Sequence, residues 1–129
     1  MLLVSGRMTR DRVILGKTGE DLACEELERR GYAILARRYR RRGGELDIIA
    51  REGNTMVFVE VKTRGGRAFG GGADAVTPLK RRRMTQMALD YMARQHLADC
   101  PCRFDVVSIR FDRGCASIDV FQNAFDAVL

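Results

Sequence analysis

A chain of 129 residues is the size of one domain around one core. Its 23 Lys and Arg outnumber 17 Asp and Glu, for a net charge of +6 and a pI ≈ 9.6, a balance that favours a polyanionic partner. Met1-Leu2-Leu3-Val4 is too short for a signal-peptide core and no apolar run reaches the length of a membrane span, so a soluble, cytoplasmic protein with no membrane partner is expected. Cys24, Cys100, Cys102 and Cys115 have no C-x-x-C spacing, which argues against a zinc knuckle or a thioredoxin-like motif and leaves reduced thiols.

Residues 1–13 mix Arg, Gly and Ser without a clear period and read as a flexible arm; residues 14–129 form the domain. Gly16 to Arg30 is helical in pattern, with Gly31 as a left-handed stop. Gly16, Glu20, Ala23, Cys24, Leu27 and Gly31 share a face, so Glu20 points toward the sheet; it is either a site acid or a first-turn acid complementing the helix dipole. Tyr32 to Tyr39 alternates as a strand. Arg37, Arg38, Arg40, Arg41 and Arg42 crowd its end around Tyr39. They are a candidate nucleic-acid backbone track with Tyr39 free to stack on a base, or an ordinary solvated basic loop.

Two apolar strands follow, Gly44 to Ala50 and Thr55 to Arg64. With Gly53-Asn54 as a two-residue hairpin loop, Glu52 pairs with Thr55, Arg51 with Met56, Ala50 with Val57, Ile48 with Val59 and Leu46 with Val61. Ala50, Ile48 and Leu46 then share one face. The other holds Ile49 opposite Phe58, Asp47 opposite Glu60 and Glu45 opposite Lys62. Facing carboxylates destabilise a sheet, and burial beside Ile49 and Phe58 adds a desolvation cost unless a cation sits between them. Magnesium or manganese, which take hard oxygen ligands and keep water, is the simplest such cation. Lys62 brings a positive charge to the same spot, and Glu45 competes for it as an ion pair. A purely structural hairpin, with Lys62 paired to Asp47 or Glu60, leaves one carboxylate unexplained.

Gly65 to Gly72 holds five glycines without the Gly-Lys-Ser or Gly-Lys-Thr of an NTPase phosphate loop and reads as a flap beside the site. Thr77-Pro78 caps a helix running to about Ala98, with Met84, Met87, Ala88, Tyr91, Met92 and Gln95 as its inward stripe. Lys80 falls in line with Met84, Met87 and Tyr91, either aimed at a substrate phosphate or snorkelling. Arg64, Lys80 and Arg81 join Arg40, Arg41 and Arg42 as candidate nucleic-acid contacts. His96, the one histidine, sits near the helix end and reads as structural. Arg103 to Phe111 and Ala116 to Phe121 are two further strands, and Phe121, Phe125 and Val128 form an apolar terminal turn folding back.

Asp47 followed on the next strand by Glu60-Val61-Lys62 resembles the PD-(D/E)XK signature of the restriction-endonuclease-like superfamily. A longer ordered set resembles the YraN family of small bacterial proteins. It comprises Gly16-Lys17-Thr18-Gly19-Glu20, Gly31-Tyr32, Arg40 through Asp47, Val57 through Arg64, Ala75-Val76-Thr77-Pro78, Arg103-Phe104-Asp105-Val106-Val107 and Asn123-Ala124-Phe125, and covers nearly the whole chain after about the first dozen residues. The resemblance implies an α/β fold with a central mixed sheet flanked by helices, similar to restriction endonucleases and archaeal Holliday-junction resolvases. It also implies metal-dependent cleavage of nucleic acid, DNA before RNA, with branched DNA among the substrates and a homodimer by analogy with relatives that cut two strands. On that pattern Asp47, Glu60 and the Val61 carbonyl hold magnesium or manganese, Lys62 orients the attacking water, and Glu20 adds a contact through water. The rival is a nucleic-acid-binding protein of the same fold that does not cleave; retention of Asp47, Glu60 and Lys62 speaks against it.

Overall fold

The computed structural model describes residues 7–10, 17–65 and 76–129. Along the chain they form β1 (Arg7–Arg10), α1 (Gly19–Arg29), β2 (Ala33–Arg41), β3 (Gly44–Glu52), β4 (Thr55–Gly65), α2 (Pro78–Arg94), β5 (Cys102–Asp112) and β6 (Cys115–Phe125). Thr18 starts α1 through a reciprocal capping box with Asp21, and Gly31 takes a positive φ of 96° just beyond its end. Thr77 and Pro78 start α2 as the sequence predicts. That helix stops at Arg94, four residues short of the expected Ala98, because His96 turns left-handed at φ 58°. Gln95 is consequently exposed, and buried Thr85 takes its place among the packed residues. The Thr85 hydroxyl donates to the Arg81 carbonyl and accepts from the Val128 amide, pinning the chain terminus to α2.

The six strands lie in the order β1-β6-β5-β4-β3-β2. Only β4 and β5 run parallel, joined through α2; every other neighbouring pair is antiparallel. This is an α/β fold with a mixed sheet and flanking helices, consistent with the restriction-endonuclease-like architecture. Within the expected arm 1–13, Arg7–Arg10 is the edge strand β1, paired with β6. The rest of that segment, and the expected flap beyond Gly65 through residue 72, lie outside the described residues.

Each sheet face carries its own core. On one, Leu22, Ala23 and Leu27 of α1 pack on Ile48, Ala50, Val57, Val59, Val107 and Ile109. On the other, Met84, Met87, Ala88, Tyr91 and Met92 of α2 pack on Leu46, Ile49, Met56, Phe58, Phe104 and Val106. Gly19 lets α1 meet β4 closely, since a Cβ there would overlap the Thr63 methyl group.

A polar cluster ties together strands far apart in sequence. Asp105, with 0% of its surface exposed, accepts from the Tyr32 hydroxyl at 2.8 Å, from Arg103 Nε at 3.0 Å and from the Asn123 amide at 2.9 Å. Arg103 also donates to Glu52 at 2.6 Å, and Gln122 donates to the Tyr32 hydroxyl at 2.8 Å. The β5–β6 register shifts between Phe104 and Val106, so the irregularity turns a buried acid toward backbone and side-chain donors. Arg103→Leu is expected to leave Asp105 as an uncompensated buried charge and to cost about 3–5 kcal/mol, measured as the loss in urea unfolding free energy; a change under about 0.5 kcal/mol would contradict this role.

Candidate metal centre

The β3–β4 ladder runs from Glu52–Thr55 through Arg51–Met56, Ala50–Val57 and Ile49–Phe58 to Ile48–Val59, as the two-residue loop dictates, with Gly53 at φ 60°. There the backbone pairing ends. One residue on, the Asp47 side chain takes over from the ladder: its Oδ2 accepts from the Val61 amide at 2.8 Å. The neighbouring strand breaks in step. Arg37 pairs with Ile48 and Tyr39 with Leu46, yet Ile48 belongs to the α1 core whereas Leu46 and Tyr39 belong to the α2 core. Regular alternation would put all of these on one face. Arg38, at φ 51° between them, is where the strand turns over. The expected Leu46–Val61 pairing on the face of Ile48 is therefore corrected: Leu46 packs beneath α2.

Glu60 follows from regular alternation, on the α2 face with Phe58. Its side chain is 6% exposed, and its two oxygens meet different lysines: Oε2 lies 3.2 Å from Lys62 Nζ and Oε1 lies 3.5 Å from Lys80 Nζ. Lys62 comes from the same strand, Lys80 from the first turn of α2. The Asp47 and Glu60 carboxyl groups are close enough for each to act on the other. Burial, the strongest influence, pushes the Asp47 carboxyl up to about 6; the Val61 amide works against it, the charge and hydrogen bond of Glu60 reinforce it, and Lys80 moderates it.

Other expected site residues lie elsewhere. Glu20 is held by Arg37 at 3.0 Å and Arg38 at 3.0 Å, and Arg37 also binds Asp21 at 2.7 Å. No cluster of three or more His, Cys, Asp or Glu able to hold a metal occurs among the described residues, so Glu20 is not a third direct carboxylate ligand beside Asp47 and Glu60; the contact expected of it is one through water. Glu45 pairs with its cross-strand neighbour Arg40 at 3.1 Å and leaves Lys62 to Glu60. The expected five-arginine track divides: Arg37 and Arg38 engage α1, while Arg40, Arg41 and Arg42 reach the β2–β3 turn. Tyr39, expected to stack on a base, packs edge-on against Tyr91 with ring centroids 5.2 Å apart. Arg81 donates to the Val76 carbonyl and lies over the Phe125 ring, so packing occupies it. Arg64 is half-buried near the end of β4, on the strand face of Glu60 and Lys62 by alternation.

A groove of about 210 Å³ between the β2–β3 turn and α2 is lined by Arg41, Arg42, Gly43, Gln86, Met87, Asp90 and Arg94. Asp90 binds Arg94 at 2.9 Å and lies 3.8 Å from Arg41. The sequence reading missed Asp90 and Arg94, although their spacing of four on a helix is a visible signal for an ion pair.

Residues 19–109 match the model of the Uncharacterised protein family UPF0102. The chain belongs to that family, the YraN family. A UPF0102 protein of Geobacter metallireducens is 48% identical over 112 residues, covering 87% of this chain and 92% of its own length. One from Geobacter sulfurreducens is 46% identical over 114 residues, covering 88% and 89%, and one from Symbiobacterium thermophilum is 46% identical over 114 residues, covering 88% and 97%. The matched family segment spans Asp47, Glu60, Lys62 and Lys80. No helix among the described residues is long and apolar enough to cross a membrane.

An acid whose folded pKa is raised binds its proton more tightly in the native state, so the metal-free protein should lose stability as pH rises from about 4 to about 6. Asp47→Asn is expected to remove that component. The check is thermal melting of both proteins in chelator across this window; parallel pH profiles would contradict the placement of Asp47.

Proposed function

We propose that this UPF0102 protein is a divalent-metal-dependent nuclease that hydrolyses internal phosphodiester bonds of nucleic acid, with DNA the first candidate, within the PD-(D/E)XK superfamily. The observation that carries the reading is the Asp47–Glu60 pair. Two carboxyl groups are brought together at the point where a central β-ladder ends, one of them buried and one pushed up in pKa, with two lysines beside them. The donor set fits magnesium or manganese: one or two carboxylates suffice for a hard cation that retains several waters, and the Val61 carbonyl is a further candidate oxygen. When bound, such an ion supplies polarisation of the scissile phosphate and a water of lowered pKa.

The protein's own groups supply the rest. The Val61 amide fixes the Asp47 carboxylate in one orientation, which a strand side chain in mid-ladder would lack. Lys62, held by β4 beside Glu60, offers a fixed positive charge to the phosphoryl oxygens as negative charge grows there. Arg42, exposed on the groove rim, offers a contact to the backbone away from the cut. The four cysteines are free thiols, which supports action in the reducing cytoplasm.

A second reading has its own support. Lys62 and Lys80 already neutralise Glu60, as they would in a nucleic-acid-binding protein of this fold that does not cleave. The two readings separate in one experiment, with the purified protein in manganese and a panel of linear, single-stranded and branched DNA and RNA. Cleavage is expected, with loss in Asp47→Asn. Lys62→Ala should cut at least about a hundredfold more slowly while keeping its urea midpoint and its affinity for DNA in calcium. Intact substrates throughout the panel, with Lys62→Ala destabilised by several kcal/mol, would favour the non-cleaving protein. Arg42→Ala is separately expected to lower the slope of log affinity against log salt by about one unit; an unchanged slope would place the backbone contacts elsewhere.

A further inference from the structure

Resting on the metal-centre reading, we propose that Lys80 is an exchangeable gate on the site. It occupies Glu60 while the site is empty and leaves it when a divalent cation binds, which frees its ammonium group for the substrate phosphate. Asp47 and Glu60 bring two carboxylates, and Lys62 and Lys80 bring two ammonium groups, so the four side chains balance in formal charge. A divalent cation added to that set leaves an excess of two positive charges around buried Glu60. Like charges so close, on a carboxylate only 6% exposed, repel strongly because little water screens them. One ammonium group must give way.

The geometry distinguishes the two. Lys62 is two residues from Glu60 on a strand whose backbone there pairs with β5, Glu60 with Val106 and Lys62 with Ser108; it lies 3.2 Å from the Glu60 oxygen and is 29% exposed. Lys80 reaches across from another element, at 3.5 Å, with 38% of its side chain in solvent. The longer contact is at the limit of a hydrogen bond, and a lysine stem of four carbons redirects easily. Its position also disfavours a purely structural role. Lys80 to Arg83 place four cations in the first turns of α2, whose first turn holds no acid, against the preference of the positive end of a helix for anions. Glu60 is the anion that Lys80 now holds. When a metal ion claims Glu60, the same helix end needs another anion, and a phosphodiester is one.

Metal and nucleic acid should then assist each other, because each favours the state with Lys80 away from Glu60, and such coupling is reciprocal. Removing the lysine should relieve the competition. In titration calorimetry of manganese into the full chain without nucleic acid, Lys80→Met and Lys80→Gln are expected to bind the ion on the order of tenfold more tightly than wild type. Lys80→Arg, which keeps the charge, should stay near the wild-type constant. Equal or weaker binding by the two neutral variants, alongside a wild type that binds, would overturn the gate and leave the metal centre standing. A wild type that binds no manganese would overturn both.

Discussion

Everything specific to this molecule depends on one hydrogen bond, from the Val61 amide to the Asp47 carboxylate. A sheet that continued its ladder past Ile48–Val59 would spend that amide on a backbone carbonyl and set Asp47 squarely opposite Glu60, two like charges with no relief. Ending the backbone pairing there lets the side chain satisfy the amide instead. The cost is local. Arg38 adopts a left-handed conformation uncommon outside glycine, and both strands exchange faces within one residue. In return, an acid is held rigidly at a strand edge while the hydrophobic contacts of Leu46 and Tyr39 are transferred to the α2 core.

The surrounding fold keeps this irregularity affordable. The parallel β4–β5 pair is buried under helices on both faces, as parallel pairing generally requires, and fixes the strand that carries Glu60 and Lys62. On the α1 face, the cluster around Asp105 clamps β5, the start of β2 and the end of β6 together through Tyr32, Arg103 and Gln122. Every buried side-chain polar atom described finds a partner. On the α2 face the paired charges of Asp47, Glu60, Lys62 and Lys80 meet at the end of the β3–β4 ladder.

Much of this is legible in the sequence, for identifiable reasons. Gly53-Asn54 fixes the hairpin register because a two-residue loop leaves no slack, and Gly31, Thr77 and Pro78 mark helix ends through their own backbone chemistry; the start of α1 at Gly19 rather than the expected Gly16 comes from the Thr18–Asp21 capping box. The inward direction of Lys80 follows from helical period alone. What period cannot supply is a departure from period: nothing at Arg38 or Asp47 announces the switch of faces, so Leu46 is misassigned. Long-range polar partners are equally hidden. Arg37 and Arg38 read as free cations until α1 brings Glu20 and Asp21 to them, and Tyr32 and Asp105, 73 residues apart, show no local sign of their contact.

The most direct test of the metal centre is anomalous diffraction from crystals grown in manganese. A peak is expected within coordination distance, roughly 2–2.6 Å, of an Asp47 oxygen and a Glu60 oxygen together. Manganese bound elsewhere, or a clear density map in which Lys62 and Lys80 still hold Glu60 and no peak lies between the carboxylates, would contradict it.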